Sequence, residues 1–472
     1  MKKCAAIIGG GVIGAGWAAR FLLMGWDVGI FDPDPDAERK VREVISNARR
    51  SLPGLYDTAL PNEGRLCFYT SISDAVREAI WVQESCPEQI EIKHRILREI
   101  QAASRVDAVV ASSTSGIRPS QLQQGSERPD QIIVAHPFNP VYLLPVVELV
   151  GTECTVQQAH AIMGQVGMKP IHVRREIDAH IADRLLEAVW REALWLVNDG
   201  IATTAEIDDA IRFGFGLRWA QMGLFETYRI AGGEAGMAHF ISQFGPALKW
   251  PWCKLVDVPE LTDELVGKIA RQSDEQSGHY SVRELERIRD DNLVALMRAL
   301  KGRNWGAGSH LNESDRLLAT PVGAAERGAL RTVDRTVPVD WVDYNRHMNE
   351  GRYGQVFSDA ADSVLDRIGA DAAYTKNGNS FFTVETHTQY LHETCAGMRV
   401  WVDTFVRQAT GKKLILHHEM YGDGVSGLLA SCDQTLVHVS LETRRACEPD
   451  AEVSRNMEVL AVQHAASNSG QG

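Results

Sequence analysis

The chain has 472 residues, which is too long for one hydrophobic core and predicts two to four domains. Its 49 basic and 62 acidic residues give a net charge of −13, and the sequence has no long basic run. This balance disfavours nucleic acids and anionic membranes as partners and favours small molecules.

The cysteines and the N-terminal segment indicate the cellular compartment of the protein. Its eight cysteines are scattered, with no Cys-x-x-Cys pair and no histidine cluster at zinc-ligand spacing. We therefore expect reduced thiols in a cytoplasmic protein, and no metal site. Glycines interrupt the apolar start, which predicts a strand and helix rather than a signal peptide. No apolar stretch reaches the ~20 residues that span a membrane.

The first block, residues 1–180, has the pattern of an α/β domain. It opens with "AAIIGG", a helical run and "DVGIFD", and apolar strand candidates such as "DAVVASS" and "QIIVAHP" follow. This alternation predicts a parallel sheet covered by helices, as in a Rossmann domain.

The second block, residues 181–302, changes to a helical period. "HIADRLLEAVWREALWLVNDG" carries a broad apolar stripe, which predicts a long helix. Thr203 with Glu206, and Ser281 with Glu284, have capping-box spacing and predict further helix starts. The block is expected to be an all-helical substrate or dimerisation domain.

A third domain is predicted after a linker at residues 303–325, which is rich in Gly, Asn and Ser. Several strand-like stretches and one helix candidate, Arg352 to Ile368, occupy residues 326–448 and predict an α+β domain. Residues 449–472 end in "HAASNSGQG" and are predicted to be a disordered tail.

A glycine pattern between the first strand and helix predicts a dinucleotide site. Its glycines form G-x-G-x-x-G, in which the backbone turns tightly and a pyrophosphate approaches the helix N-terminus. Asp32 ends the second predicted strand, where it would bind the adenosine ribose hydroxyls, and its charge favours NAD over NADP. The expected cofactor-binding residues are Gly9, Gly11, Val12, Ile13, Gly14 and Asp32.

A histidine and a glutamate twelve positions apart, His136 and Glu148, lie in "AHPFNPVYLLPVVELVGT". Oxidation of a secondary alcohol needs a base for the hydroxyl proton, and a carboxylate-held imidazole suits that role. With "ASSTSGIRPSQL" upstream, this stretch resembles the 3-hydroxyacyl-CoA dehydrogenase superfamily. The resemblance implies a catalytic His136–Glu148 pair, a hydrogen bond from Ser115 to the substrate oxygen, and a loop-shaping role for Asn139.

The chain departs from that superfamily at Asp183, where the resemblance implies an asparagine before Arg-Leu. A carboxylate cannot donate a hydrogen bond to an alkoxide-like oxygen unless it is protonated. Asp183 is therefore expected to face a cation or to help hold His136, and the alternative is a solvated charge at a helix N-terminus.

The sequence of the helical block indicates one branch of this superfamily. Residues 3–300 resemble L-carnitine dehydrogenases, a branch that oxidises a free hydroxy acid carrying a trimethylammonium group. Such a cation is best held by aromatic faces and carboxylates. Candidate residues for the cation are Trp190, Trp219, Phe225 and Tyr228, with Asp183 or Glu226 as the counter-charge. Candidate donors to the substrate carboxylate are Arg184, Arg212 and Arg218.

Two alternatives remain for this part of the chain. One is an ordinary 3-hydroxyacyl-CoA dehydrogenase whose third domain is a non-catalytic appendage. The other is an NAD-binding protein without activity, although the intact spacing of His136 and Glu148 argues against it. Most aromatic residues at helical spacing belong to a core rather than a ligand site.

The third domain begins with "WVDYNRHMNEGRY". Asp343, His347 and Asn349 there resemble the signature turn of hot-dog-fold acyl-CoA thioesterases, although Arg346 stands where glycine is usual. The resemblance implies Asp343 as base or nucleophile, helix N-terminal amides as the oxyanion site, and a weaker water-positioning candidate in Glu385. The alternative is that Asp343 only caps the turn.

The two resemblances together imply a reaction route and an assembly. In pathways of this family, oxidised carnitine is cleaved to betainyl-CoA, which a thioesterase would hydrolyse. Both folds usually build their sites with help from a partner subunit, so the resemblance also implies a homodimer.

Overall fold

The computed structural model describes residues 3–231, 236–244, 253, 260–318 and 329–468. The chain divides into a first unit, residues 1–48 and 62–312, and a second unit, residues 49–61 and 313–472. Residues 49–61 lie inside the predicted first domain, residues 1–180, and group with the second unit. Within the second unit, Arg335 Nη2 lies 2.8 Å from Asp57 Oδ1, a contact between positions 278 residues apart that no local pattern reports.

The first unit contains an eight-stranded sheet in the order β3-β2-β1-β4-β5-β6-β7-β8. Its strands are β1 (Cys4–Ile8), β2 (Asp27–Phe31), β3 (Leu66–Phe68), β4 (Trp81–Glu84), β5 (Val109–Ser112), β6 (Ile132–Pro137), β7 (Val146–Val150) and β8 (Lys169–His172). The predicted parallel sheet is confirmed except between β6 and β7, which pair antiparallel. This Rossmann-type sheet is apolar on both faces because helices cover it.

Six helices accompany the strands of this sheet: α1 (Val12–Leu23), α2 (Ala37–Ser51), α3 (Ile72–Val76), α4 (Ile90–Ala103), α5 (Pro119–Leu122) and α6 (Glu153–Gln165). Fully buried side chains of the central strands, including Ala6, Ile8, Val82 and Val110, form one core cluster with residues of the helices. The sheet is thus a rigid base for the loops that leave its strand ends.

The helical block contains α7 (Ala182–Asn198), α8 (Thr204–Ala210), a π-helical turn (Ile211–Phe215), α9 (Gly216–Ala231), α10 (Gly236–Phe244), α11 (Asp263–Ser277) and α12 (Val282–Lys301). The predicted capping boxes at Thr203 and Ser281 are confirmed, since each hydroxyl accepts the expected backbone N–H. The N-terminal part of the apolar stripe of α7 is exposed in the single chain, where Leu185, Leu186 and Trp190 are each more than half exposed, whereas Val197 near its end is buried.

The second unit is an α+β hot-dog domain with a five-stranded antiparallel sheet in the order β10-β13-β12-β11-β9. The strands are β9 (Leu330–Thr336), β10 (Asn379–Tyr390), β11 (Arg399–Thr410), β12 (Lys413–Gly422) and β13 (Ala430–Ser440), and its helices include α14 (Glu350–Ile368) and α15 (Ala372–Lys376). α14 buries an apolar face that includes Val356, Phe357 and Val364, in clusters shared with the sheet.

Two predicted irregular segments are helical. The predicted linker contains α13 (Ala307–Leu318), and its residues 319–325 lie outside the described residues. The predicted disordered tail contains α16 (Ala451–Asn468), which buries Val453, Met457 and Leu460 in the core of the second unit. Among the described helices, none combines the length and apolarity needed to cross a membrane.

Candidate active sites

The antiparallel pairing of β6 and β7 brings His136 and Glu148 together. The two residues are direct cross-strand partners, and His136 Nδ1 lies 3.0 Å from Glu148 Oε2. Both side chains are buried, with 4% and 0% of their surface exposed. The resemblance implied this pair, and the strand register places the two side chains next to each other.

The second carboxylate oxygen of Glu148 is held by the start of α7. Glu148 Oε1 accepts hydrogen bonds from the backbone N–H groups of Ile181, at 2.9 Å, and Ala182, at 3.1 Å. Burial alone would raise the pKa of Glu148, but the hydrogen bonds from His136 and these two amides outweigh it and lower the pKa. Glu148 is therefore ionised, so His136 Nδ1 carries a proton and Nε2 is left to act on a substrate.

Asp183 lies on that open side of the imidazole. Its Oδ2 is 3.5 Å from His136 Nε2, and its side chain is 19% exposed. Burial raises the pKa of Asp183, the charge of His136 opposes the rise, and the charges of Glu148 and Glu187 add to it. Of the expected roles, a purely solvated helix charge fits this position least, because the carboxylate faces the reacting nitrogen.

A second histidine, His180, adjoins the pair and was missed from the sequence. Its ring centroid lies 5.4 Å from that of His136, and its Nε2 lies 3.2 Å from the carbonyl oxygen of Thr114, to which it donates. Burial, followed by the charge of His136, lowers the pKa of His180, so this ring is neutral. Nδ1 of His180 is buried with no hydrogen-bond partner among the described residues. No periodicity or motif marks this position.

The loop that contains Ser115 follows β5 and is held by its neighbours. Ser115 is exposed, while the adjacent Thr114 is buried and donates its hydroxyl to Glu88. Glu88 also lies 3.3 Å from Lys93 Nζ. Together with the contact from His180 to Thr114, these bonds fix the loop beside His136. Glu88 is a second residue that sequence reasoning missed.

The glycine loop fits a dinucleotide. Gly9 has φ +101°, and a Cβ there would lie 2.6 Å from Ser85 O; a Cβ at Gly14 would collide with Gly9 O. At Gly11, the N-cap of α1, a Cβ would meet nothing within 4 Å, so open space adjoins the helix N-terminus. Val12, the first residue of α1, is 63% exposed, while the neighbouring Ile13 is partly buried.

Asp32 follows β2 at the other side of this space. Its Oδ2 accepts from Gly10 N at 2.6 Å, and its Oδ1 accepts from Asp34 N at 2.8 Å. The remaining lone pairs suit ribose hydroxyls, and the negative charge disfavours a 2′-phosphate. These residues fit NAD.

The expected trimethylammonium residues lie on α7 and α9. Trp190 and Phe225 are 55% and 74% exposed. The ring centroid of Trp219 lies 4.5 Å from that of Phe215, and the Tyr228 ring stacks on Phe240 with 4.7 Å between their centroids. Among the described residues, the structure does not bring the four predicted rings into one cage. Of the other candidates, Arg212 pairs with Asp209, while Arg184, Arg218 and Glu226 are exposed, as is Asn139 on the loop after β6.

The second unit carries the other predicted site at the turn before α14. Asp343 Oδ1 accepts from the backbone N–H groups of Asn345, at 2.8 Å, and His347, at 3.3 Å. Arg346 has φ +68°, the left-handed conformation that the usual glycine would adopt. Asn349 is the N-cap of α14 and accepts from Gly351 N at 3.0 Å. Arg346 therefore adopts a backbone conformation that glycine favours.

The remaining thioesterase candidates differ in their surroundings. His347 Nδ1 lies 3.1 Å from Glu393 Oε2, a partner that the sequence did not indicate. Glu385 is exposed on β10, next to a β-bulge, and the described contacts do not join it to Asp343. Asp343 caps the turn through Oδ1, and its Oδ2 has no hydrogen bond among the described residues.

Comparisons with known proteins match the whole chain. Family models match the NAD-binding domain of 3-hydroxyacyl-CoA dehydrogenases at residues 4–177, their C-terminal domain at 180–267, and the thioesterase-like superfamily at 337–457. A Ruegeria pomeroyi protein named L-carnitine dehydrogenase/betainyl-CoA thioesterase is 58% identical over 99% of this chain and 98% of its own length.

This chain belongs to the L-carnitine dehydrogenase/betainyl-CoA thioesterase family.

Within this family assignment, the two halves of the chain have separate relatives. A Mesorhizobium japonicum protein named L-carnitine dehydrogenase is 57% identical over 67% of this chain and 89% of its own length. Among solved structures, an NAD+-dependent 5-dehydrogenase of a pyridine carboxylic acid is 27% identical, with a TM-score of 0.54, over 64% of this chain and 99% of that chain. The dehydrogenase half is thus a recognisable protein by itself.

Proposed function

We propose that the first unit oxidises L-carnitine to 3-dehydrocarnitine with NAD. The observation that supports this most is the buried His136–Glu148 pair, in which Glu148 engages Nδ1 and leaves Nε2 for a substrate. The chain is also closely related to named L-carnitine dehydrogenases. The small-molecule substrate is carnitine, and the expected residence in the cytoplasm is supported by eight free cysteines.

The proposed chemistry divides the work among few groups. His136 Nε2 takes the proton from the substrate hydroxyl, and Glu148 stabilises the imidazolium that forms. Ser115 donates to the substrate oxygen, and its loop is held by the contacts at Thr114. The glycine loop and Asp32 hold NAD, which when bound accepts hydride from the carbinol carbon.

NADH formation with L-carnitine, D-carnitine and 3-hydroxybutyryl-CoA tests this proposal. We expect turnover of L-carnitine, and a loss of at least about 100-fold in kcat in His136→Ala, because the general base is removed. The exposed His160 supplies a matched control, and His160→Ala should behave as wild type. Turnover of the CoA substrate without turnover of carnitine would instead favour an ordinary 3-hydroxyacyl-CoA dehydrogenase.

For the second unit we propose hydrolysis of betainyl-CoA, with Asp343 as base or nucleophile. The support is the turn at Asp343, the exposed start of α14 beside it, and the match to the thioesterase-like superfamily. Backbone N–H groups at a helix N-terminus stabilise a developing oxyanion. The acyl-CoA would then be a second small-molecule partner.

The variant Asp343→Asn separates catalysis from capping. An asparagine oxygen still accepts from Asn345 and His347, so the turn is kept while the carboxylate is lost. We expect the full-length variant to lose betainyl-CoA hydrolysis, measured as free CoA by chromatography, and Asp340→Asn in the same segment to retain it. Full hydrolytic activity of Asp343→Asn would show that Asp343 caps the turn and is not the catalytic base or nucleophile.

We also propose that the protein is a homodimer that covers the exposed face of α7. Ile181, Leu185, Leu186 and Trp190 are each more than two fifths exposed in the single chain, although they form the apolar stripe of a long helix. An unpaired apolar stripe of this size is typical of a protein interface. A second copy of this chain is the proposed occupant.

A further inference from the structure

We propose that Asp183 is the residue that selects a positively charged substrate, by placing a carboxylate next to the ammonium group while His136 holds the hydroxyl. This inference rests on the proposed oxidation of carnitine. It assigns to one side chain the discrimination between a trimethylammonium hydroxy acid and a neutral hydroxy acid of the same shape.

The position of Asp183 relative to the reacting nitrogen is the first support. Its Oδ2 lies 3.5 Å from His136 Nε2, while Nδ1 on the opposite edge of the ring is engaged by Glu148. A hydroxyl that gives its proton to Nε2 therefore binds in direct proximity to the Asp183 carboxylate.

The shape of the substrate supplies the second step. In carnitine a single methylene separates the carbinol carbon from the quaternary nitrogen. With the hydroxyl within about 3 Å of Nε2, rotation about the carbon–carbon bond can bring the nitrogen to a distance on the order of 5 Å from Asp183. A quaternary ammonium has no N–H to donate, so only electrostatic attraction and aromatic contact can recognise its charge.

The groups around Asp183 affect the ionisation of its carboxyl group. The titratable groups that act on it are His136, Glu148, Glu187 and His180, and the balance with burial holds the pKa of Asp183 above its usual value. The two imidazoles of this set are His136 and His180, and burial lowers the pKa of His180. A bound ammonium would favour the ionised carboxylate.

The test compares carnitine with its neutral isostere, 3-hydroxy-5,5-dimethylhexanoate, in which a quaternary carbon replaces the nitrogen. The measured quantity is the ratio of kcat/KM for the two substrates. A general loss of activity in a variant lowers kcat/KM for both substrates equally, so it leaves this ratio unchanged. For Asp183→Asn we expect the ratio to fall by a factor on the order of 100, as for a unit charge pair about 5 Å apart at an effective dielectric constant of ~20.

Two further variants serve as controls. Asp183→Glu keeps the charge and should retain most of the preference for carnitine. Glu187→Gln removes a carboxylate one helical turn further along α7, where it is exposed, and should change the ratio less than about threefold.

The outcomes are distinct. A ratio in Asp183→Asn within about threefold of wild type would overturn the inference, and a melting temperature would show that the variant is folded. If Asp183→Asn does not fold, Asp183→Ser gives the same comparison. Absence of carnitine turnover in the wild-type protein would instead refute the proposed function, so the two failures are separable.

Discussion

His180 links the reacting imidazole to the loop of Ser115 through one hydrogen bond, Nε2 to Thr114 O. His180→Phe keeps an aromatic ring beside His136 but removes the donor, so the loop loses a fixed point and a buried carbonyl is left unpaired. We expect kcat for carnitine to fall at least about tenfold, because small displacements of positioning groups are costly. His180→Gln, which retains a donor amide, should recover part of the loss in steady-state assays. An unchanged kcat in His180→Phe would contradict this role.

Arg346 adopts φ +68°, whereas the neighbouring Asn345 does not have a positive φ. The left-handed conformation costs a residue with a Cβ about 1 kcal/mol, so Arg346→Gly should raise the free energy of unfolding of the second unit by up to about 1 kcal/mol. Asn345→Gly adds the same conformational entropy to the unfolded chain but relieves no backbone strain. This variant should therefore lower the free energy of unfolding of the second unit.

Differential scanning calorimetry of the full chain measures both changes. The transition of the second unit is identified by its shift in Val364→Ala, which opens a cavity under α14. Equal shifts in Arg346→Gly and Asn345→Gly would show that the positive φ at Arg346 carries no strain.

At the scale of secondary-structure elements, a polar ladder crosses the buried face of the hot-dog sheet. Thr332 on β9, Thr404 on β11, His418 on β12 and Gln434 on β13 are joined by side-chain hydrogen bonds of 2.7, 2.8 and 3.2 Å. Burial lowers the pKa of His418 to about 3. The ladder thus holds a neutral histidine inside an apolar core.

This histidine makes the second unit sensitive to acid. Its folded-state pKa lies below the unfolded value of 6.5, so its contribution is complete above pH 6.5 and is lost as the pH falls towards 3. We expect the unfolding free energy to fall by about 1 kcal/mol per pH unit in that window. His418→Gln should be less stable at pH 7 but should show a flatter pH dependence in calorimetry. An equally steep dependence in the variant would assign the acid sensitivity elsewhere.

The elements differ in how far the sequence predicted them. The strands followed from apolar runs, and the His136–Glu148 pair followed from the resemblance to a family. The antiparallel pairing that places the two side chains opposite each other was not predicted. The helix α16 was missed because its polar end dominated the composition, although Val453, Met457 and Leu460 have helical spacing. His180 and Glu88 were missed because their roles arise from contacts between distant segments, which no local pattern records.

At the scale of the whole molecule, the proposed dimer rests on the unpacked stripe of α7. Leu186→Glu places a charge in that stripe and should convert the dimer into a monomer, measured by sedimentation velocity. Val106→Glu changes an apolar residue that is 79% exposed outside the helical block, and should leave the assembly intact. A dimeric Leu186→Glu protein would place the interface on another surface.

The cross-strand register of β6 and β7 has a consequence for how this enzyme can be altered. The proposed partnership between His136 and Glu148 depends on the strand pairing that places the two residues opposite each other. Because successive strand residues point to opposite faces, inserting one residue between Val146 and Glu148 would turn the carboxylate away from the imidazole. The alternation of positions within β7 is therefore fixed by the proposed chemistry. The connecting segment is fixed by packing, because Val141 and Leu143 are buried and the Tyr142 hydroxyl donates to Asp290 Oδ2 at 2.7 Å.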